Sequence, residues 1–176
     1  MTPALTTLAT SLEGERFGMM GDAAVAIDDR ELIALAPTLL AAARYLVRSE
    51  ADAADLVQAT LEIAVRRRTQ LRDPSRLRPW LLAIETREAF RLRRRFRSLV
   101  SLDGGVLEVP VSGPSDEDLA VRLAVAKLPN RQRAAVVLHH MAGLPVAQTA
   151  EAMGVSENTV KTLLRLGLAR LREVLA

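Results

Sequence analysis

The sequence contains few of the residue types that often act in catalysis, metal binding or stacking. Its 176 residues include no cysteine, two histidines and five aromatic residues. The absence of cysteine excludes disulfides, thiolate metal sites and cysteine nucleophiles. No apolar run approaches the roughly 18 residues that a membrane span needs. The N-terminus also lacks a basic segment followed by an apolar one, so we expect neither membrane insertion nor a signal peptide.

The two histidines, His139 and His140, are adjacent, and no cluster of carboxylates or nucleophiles accompanies them. Neighbouring side chains on a helix point about 100° apart. We therefore predict that His139 lies on a helix surface and His140 in the core. The chain is not predicted to be an enzyme, and we expect no catalytic residue, no metal site and no cofactor.

The apolar residues favour helices. They make up 49% of the chain and are mostly alanine, leucine and valine, of which alanine and leucine are strong helix formers. The apolar residues also recur with helical spacing along most of the sequence, and no strand pattern competes with it. The predicted fold class is all-α.

Charge is strongly segregated along the chain. The net charge is −6 over residues 1–65, +9 over residues 66–97, −5 over residues 98–121 and +5 over residues 122–176. Charges spread for solubility would be mixed, whereas two basic blocks separated by an acidic one indicate two surfaces for a polyanion.

Prolines and glycines interrupt the helical pattern and divide the sequence into four parts. We predict a loosely ordered tail over 1–27, a helical domain over 28–97, a flexible acidic linker over 98–118 and a second helical domain over 119–176. Within the first domain, Asp28 or Asp29 caps a helical segment in which Pro37 marks a kink or a break between two short helices. A further helix covers about Glu50 to Arg68. A third helix begins at Pro79, with Trp80 in the core.

The last third of the chain predicts a helix-turn-helix. Gly154 provides a left-handed turn after one short helix, and Ser156 caps the next. The apolar side of that second helix is Val160, Leu163, Leu164, Leu168 and Leu171. Its opposite side carries Glu157, Asn158, Lys161, Thr162 and Arg165, a pattern typical of a DNA recognition helix. An ordinary helical hairpin with a solvated polar side has the same pattern.

Four blocks, in order, resemble the extracytoplasmic-function (ECF) group of bacterial RNA polymerase sigma factors over about residues 28–176. DAADLVQ at 52–58 is similar to that family's region 2 signature, and PWL at 79–81 to its region 2 core helix. LPNRQR at 128–133 is similar to the start of region 4, and GVSENTVK at 154–161 to its helix-turn-helix.

The resemblance implies a region 2 helical bundle and a region 4 helix-turn-helix domain on a flexible linker. It implies a cytoplasmic subunit that binds core RNA polymerase through its clamp and flap elements and directs promoter recognition and transcription initiation. Promoter DNA would be contacted at the minus-10 and minus-35 elements, and an anti-sigma factor is a further candidate partner.

The resemblance also assigns three groups of residues. The polymerase-docking group is Asp52, Asp55, Leu56, Gln58 and Glu62. The minus-10 group is Arg76, Arg78, Arg87, Arg91 and Arg94. The minus-35 group is Ser156, Glu157, Asn158, Thr159, Lys161, Thr162 and Arg165.

The sequence departs from the family's pattern at several of these places. Residues 58–61 read QATL where the family usually has Gln-Glu-Thr-Phe, and Arg87 and Arg91 replace the usual Asn and Asp. Leu163 and Leu166 stand where arginines are frequent. Two alternatives therefore stay open: a sigma-like decoy that binds a regulator without initiating transcription, and a stand-alone helix-turn-helix regulator.

Overall fold

The computed structural model describes residues 27–99 and 116–175, and the structural statements below concern those residues. All regular structure in these two ranges is helical, which confirms the predicted all-α class. The expectations for the tail up to residue 26 and for linker residues 100–115 lie outside the described residues.

The first two helices are separated by the break predicted at Pro37. α1 spans Asp29–Ala34 and α2 spans Ala36–Leu46. Asp28 caps α1 reciprocally: its carboxylate accepts from a first-turn backbone N–H at 3.3 Å, and Glu31 Oε2 accepts from the Asp28 backbone N–H at 3.1 Å. Because a proline has no N–H to continue the hydrogen-bond ladder, the chain starts a new helix.

α3 spans Glu50–Arg67, one residue shorter than predicted. It begins after Ser49, whose hydroxyl oxygen accepts from the backbone N–H of Asp52 at 3.0 Å. This bond satisfies one of the amide groups that lack a partner in a helix's first turn. The inner side of α3 is buried, and its apolar residues there are Ala53, Leu56, Val57, Leu61 and Ala64.

α4 spans Leu77–Leu99 and follows two short 3-10 turns, Arg68–Gln70 and Pro74–Arg76. Pro79, predicted to open this helix, is instead its third residue. A proline is tolerated there because the amide groups of the first turn have no intrahelical partner. The helix also includes residues 98–99, which the sequence analysis assigned to the linker.

The second half begins with α5, Asp116–Ala126, whose first three residues also fall in the range predicted as linker. α6 spans Asn130–Val136 and continues as a π-helical turn, Val137–Met141. In that turn the Ala142 backbone N–H donates to the carbonyl five residues earlier at 2.8 Å. Pro129 and Gly143 in the sequence predict one continuous helix over Asn130 to Met141, so the wider turn was not predicted.

α7 spans Val146–Met153 and α8 spans Glu157–Leu175. Gly154, between them, has φ +65°, a left-handed conformation that glycine adopts without a steric penalty. Ser156 Oγ accepts from the backbone N–H of Thr159 at 3.2 Å. Both local signals of the predicted helix-turn-helix are therefore confirmed.

The two helical halves pack against each other through α2 and α4. In the first half α3 lies against α2 and α4, and in the second half α8 contacts α5, α6 and α7. Between the halves, α4 contacts α7, and α2 contacts α5, α6 and the π-helical turn. Buried apolar side chains from both halves form one cluster that extends from Ile27 to Leu171.

Arg133 connects α6 to the end of α5. Its side chain is buried, and its Nε donates to the carbonyl of Val125 at 3.1 Å. The guanidinium group also donates to the carbonyl of Leu128 at 3.1 Å and to that of Ala126. Carbonyl groups at a helix C-terminus lack intrahelical donors, and a positive charge there is favourable.

We predict that Arg133→Met lowers the free energy of unfolding by about 2–4 kcal/mol, because three carbonyl groups lose a charged donor. Urea denaturation followed by circular dichroism measures this change. Arg131→Met is the matched control, since Arg131 is exposed two residues away. A loss no larger than that of the control would contradict the role assigned to Arg133.

α4 carries a carboxyl group in its buried middle. Glu85 is 0% exposed, and neither of its carboxylate oxygens has a hydrogen-bond partner within the described ranges. Burial raises the pKa of Glu85 well above its ordinary value, because a charge without a partner is unfavourable in a medium of low dielectric constant. The group is therefore neutral in the folded chain at pH values where the unfolded chain ionises it.

Because the folded-state pKa is the higher one, the contribution of Glu85 to stability is complete below its ordinary pKa and is lost as pH rises toward the raised value. We predict that Glu85→Gln removes this loss. As pH rises from 5 to 8, the variant should become more stable relative to the wild type. The gain in free energy of unfolding is up to about 1.4 kcal/mol for each unit by which burial raises the pKa of Glu85. Urea denaturation at both pH values tests this, with exposed Glu173→Gln as control. Equal pH dependence in variant and wild type would refute it.

Candidate nucleic-acid and protein interfaces

An acidic face runs along α3. Asp55 and Glu62 are exposed, Asp52 and Gln58 are half-buried beside them, and Gln58 Nε2 donates to Glu62 Oε1 at 3.1 Å. We call these four residues the acidic face. Leu56 was assigned to the same surface, and the structure corrects this: Leu56 is 0% exposed. Leu56 follows Asp55 directly on the helix, so its side chain points about 100° away from that of Asp55 and into the core.

The loop at residues 71–76, between α3 and α4, is held in shape by Asp73. The Asp73 carboxylate accepts from the Ser75 hydroxyl at 2.7 Å and from the Ser75 backbone N–H at 2.9 Å. These hydrogen bonds lower the pKa of Asp73, since they stabilise the ionised form. Arg72 and Arg76 are exposed on either side. The loop, which we call the Asp73 loop, therefore presents two guanidinium groups from a fixed backbone.

A cleft of about 400 Å³ lies between the Asp73 loop, α4 and α7. Trp80 is half-buried, packs against the core and also lines this cleft, so its predicted core position describes only part of its environment. The charged and amide side chains lining the cleft are Gln70, Arg72, Asp73, Arg76 and Arg87 from the first half, and Gln148 and Glu151 from the second.

Two of the five arginines assigned to the minus-10 element contact the second half of the chain. Arg76 forms an ion pair with Glu151 of α7. Arg78, in the first turn of α4, donates to the backbone carbonyl of Ala142, between the π-helical turn and α7. Both guanidinium groups therefore have partners provided by the helix-turn-helix half.

The other three arginines lie further along α4. Arg91 pairs with Glu88 of its own helix at 2.6 Å. Arg87 and Arg94 are exposed and, within residues 27–99 and 116–175, have no ion pair; they line a groove of about 500 Å³ that reaches Asn130. The predicted group is thus divided in the structure. Arg76 and Arg78 are bound by α7 and the segment before it, whereas Arg87 and Arg94 face solvent along α4.

α8 separates its two sides as predicted. The buried side consists of Val160, Leu164, Gly167 and Leu171, with Leu163 and Leu168 half-buried against the core. Thr162 Oγ1 donates to the Asn158 backbone carbonyl at 3.0 Å, and the Asn158 side chain is exposed. We call the exposed surface of Glu157, Asn158, Lys161, Thr162 and Arg165 the reading face.

Gly167 was not singled out by the sequence analysis. It is buried where α8 crosses α6, and a Cβ atom at this position would lie 3.0 Å from Val136 Cγ2. That distance is shorter than ordinary van der Waals contact. The close approach of α8 to α6 therefore depends on the missing side chain.

Glu151 was also missed. Glu151 is the one acidic residue of α7 and lies in a block of net charge +5. This contrast in charge is the sequence signal that could have pointed to it. Its partner Arg76 is 75 residues away along the chain, and no local pattern connects the two.

The placement predicted for the histidines is wrong. His139 is half-buried, with Nδ1 2.7 Å from the Leu144 carbonyl oxygen, and His140 is exposed. Both residues lie in the π-helical turn, which rotates side chains relative to the α-helical positions assumed in the prediction. Within the described part of the chain, no cluster of metal-binding side chains is present. No described helix has the length and apolar character to cross a membrane.

Two protein families match the two halves separately. Sigma-70 region 2 matches residues 33–98, and Sigma-70, region 4 matches residues 118–171. The fold and the matches define a protein of the sigma-70 class that contains these two regions.

Individual relatives indicate which group within the sigma-70 class the chain resembles. The RNA polymerase sigma-E factor of Streptomyces coelicolor is 34% identical over 142 residues, which cover 78% of this chain and 79% of the relative. The ECF RNA polymerase sigma factor SigM of Mycobacterium tuberculosis is 33% identical over 135 residues, covering 76% and 69%. The sigma factor RpoE from Bartonella quintana, solved in complex with the anti-sigma factor NepR, superposes with a TM-score of 0.72 at 30% identity over 83% of this chain and 94% of that one.

The chain therefore belongs to the ECF group of RNA polymerase sigma factors. It is a transcription initiation factor that directs promoter recognition, which confirms the function implied by the resemblance.

Proposed function

We propose that this sigma factor docks on the clamp of core RNA polymerase through the acidic face of α3 and contacts promoter DNA through two separate surfaces. The observation that carries the proposal is the placement of opposite charges on neighbouring helices. α3 presents Asp55 and Glu62 to solvent, whereas α4 presents Arg87 and Arg94. A basic protein partner and a polyanion are thereby bound by different sides of one small domain.

The minus-10 element would be contacted by the Asp73 loop and α4. An opened duplex exposes unstacked bases and closely spaced phosphates, which favour a basic groove with a nearby cleft. The exposed Arg87 and Arg94 and the cleft beside Trp80 support this assignment. Because Arg87 and Arg91 replace the family's usual Asn and Asp, we expect an altered or relaxed minus-10 preference.

The minus-35 element would be read by α8 in the major groove. Lys161 and Arg165 are suited to guanine edges or phosphates, and Asn158 is suited to adenine. Ser156 and Thr159 would fix the start of the helix, since their side-chain and backbone groups are bonded to each other. The proposal assigns no catalysis to this chain and places it in the cytoplasm, where polymerase and promoter DNA are found.

An anti-sigma factor is a further proposed partner. The Bartonella relative was solved with one. Beyond the reading face, α8 exposes Leu166, Val174 and Leu175, and exposed apolar side chains favour protein contact.

Run-off transcription with core RNA polymerase tests the proposed function. We predict promoter-dependent transcripts from the wild type, and a loss of about tenfold or more in affinity for core polymerase for Asp55→Arg, because a like charge would face the basic partner. Glu173→Arg, exposed at the far end of α8, makes the same change in net charge and should bind core normally.

The absence of any promoter-dependent transcript with the wild type would reject the sigma-factor function and favour the decoy. Equal core affinity for Asp55→Arg and Glu173→Arg would reject the docking face alone.

Lys161→Ala and Arg165→Ala test the reading face. For a promoter duplex that supports transcription, we predict either a loss of about 1–3 kcal/mol for a base contact or a decrease of about 0.9 in the log–log salt slope for a phosphate contact. Fluorescence anisotropy across salt concentrations separates the two. Arg172→Ala, exposed in the last turn of α8, should change neither quantity; if it matches the two variants, α8 is not positioned as proposed.

A further inference from the structure

The charge of α3 reverses along one line of its surface. On an α-helix, residues 11 positions apart point in nearly the same direction, about 20° from each other and about 16 Å apart along the axis. Arg66 has this relation to Asp55, and both side chains are exposed. Glu62 lies between them, four residues before Arg66 and about 40° from it around the axis. The line that carries the carboxylates of the acidic face therefore ends, one turn later, in a guanidinium group.

Glu62 and Arg66 do not neutralise each other. An acidic residue four positions before a basic one is the favourable order for an ion pair on a helix, yet within residues 27–99 and 116–175 no ion pair joins the two. Oε1 of Glu62 instead accepts from Gln58 Nε2 at 3.1 Å. Both charges are thus available to a partner molecule.

Arg66 is an unfavourable contact for a polyanion that follows α3. The Glu62 carboxylate lies one turn away, about 6 Å along the axis, and phosphates placed over this line would be repelled by it. Arg67 and Arg68 are also exposed, but Arg67 points about 100° away from Arg66 and Arg68 lies 3.7 Å from Asp29 of α1. The geometry therefore favours a single acidic group opposite Arg66, on the same protein that meets the acidic face.

The reversal also distinguishes the two directions in which a helix can lie on its partner. A line of carboxylates alone presents the same charge from either end. With a cation at one end, turning α3 end for end would place Arg66 over the partner's basic groups and a carboxylate over its acidic group. Complementary charges fix the register of an interface, and like charges disfavour the wrong placement.

We propose that Arg66 extends the docking surface of α3 and sets its direction on core RNA polymerase, by pairing with an acidic side chain of the polymerase. The proposal rests on the docking of the acidic face proposed above. It requires a partner surface with basic groups opposite Asp52 to Glu62 and an acidic group about one helical turn further on. Arg66 is then a specificity-determining residue for the protein partner.

The affinity of full-length variants for core RNA polymerase tests the proposal, measured by fluorescence anisotropy of labelled sigma factor. We expect Arg66→Ala to weaken binding about two- to fivefold, the scale of one exposed ion pair. Arg66→Glu should weaken it about tenfold or more, because two carboxylates would then face each other. The loss should shrink as salt is raised. Arg67→Glu makes the same change in net charge one residue away and should bind as the wild type does.

A uniformly basic partner surface predicts the opposite order. Arg66→Glu would then bind as tightly as Arg66→Ala or more tightly, and this result would overturn the proposal. Equal losses in Arg66→Glu and Arg67→Glu would also overturn it, because net charge alone would explain them. Circular dichroism shows whether the free variants are folded. If Arg66→Glu is unfolded, Arg66→Ala is compared with Arg67→Ala, and equal core affinities would overturn the proposal.

Two further comparisons separate this proposal from the others. A fluorescent single-stranded oligonucleotide of mixed sequence should bind Arg66→Glu and Arg67→Glu equally. A loss of oligonucleotide binding confined to Arg66→Glu, with unchanged core affinity, would overturn the proposal and assign Arg66 to nucleic acid. If Asp55→Arg loses core affinity and Arg66→Glu does not, the acidic face stands and the charge reversal has no role. If neither variant loses core affinity, the docking face itself is contradicted.

Discussion

The arrangement of the molecule depends on the burial of the middle of α4. Six consecutive residues, Leu81 to Thr86, are buried, whereas a surface helix buries only one side. α2 and α3 contact this helix from the region 2 half and α7 contacts it from the region 4 half. The buried middle therefore fixes the axis of α4, and the arginines toward its two ends project from that axis.

This arrangement separates two surfaces of opposite charge on one small domain. α3, which carries the acidic face, and α4, which carries the exposed Arg87 and Arg94, pack directly against each other, so their outer sides face different directions. Apolar side chains such as Leu56 and Leu81 fill the space between them. The acidic and the basic side chains therefore lie on different sides of an apolar layer. Glu85 is a buried carboxyl group in the middle of α4, and burial raises its pKa.

The sequence predicted those features that depend on residues close together in the chain. The break at Pro37, the caps at Ser49 and Ser156 and the left-handed turn at Gly154 each arise from a few neighbouring residues, and each is present in the structure. The apolar and polar sides of α8 were predictable for the same reason, because they follow a fixed period.

Features that depend on packing between distant segments were not predictable. The pairing of Arg76 with Glu151 requires the two halves to meet, and no periodic pattern encodes that contact. The helical period of the sequence did not reveal the π-helical turn at residues 137–141, and the placement predicted for the two histidines in it was wrong. The burial of Glu85 contradicts the usual exposure of carboxylates, so composition and period argue against it.

Gly167 connects a buried helix crossing to the proposed reading face. It lies nine residues beyond Asn158, or about 13 Å along the helix axis. A wider spacing between α8 and α6 at Gly167 would tilt the end of α8 that carries Asn158. A methyl group at this position would meet Val136. If α8 reads the minus-35 element as proposed, a substitution at this buried position would change promoter preference without contacting a base.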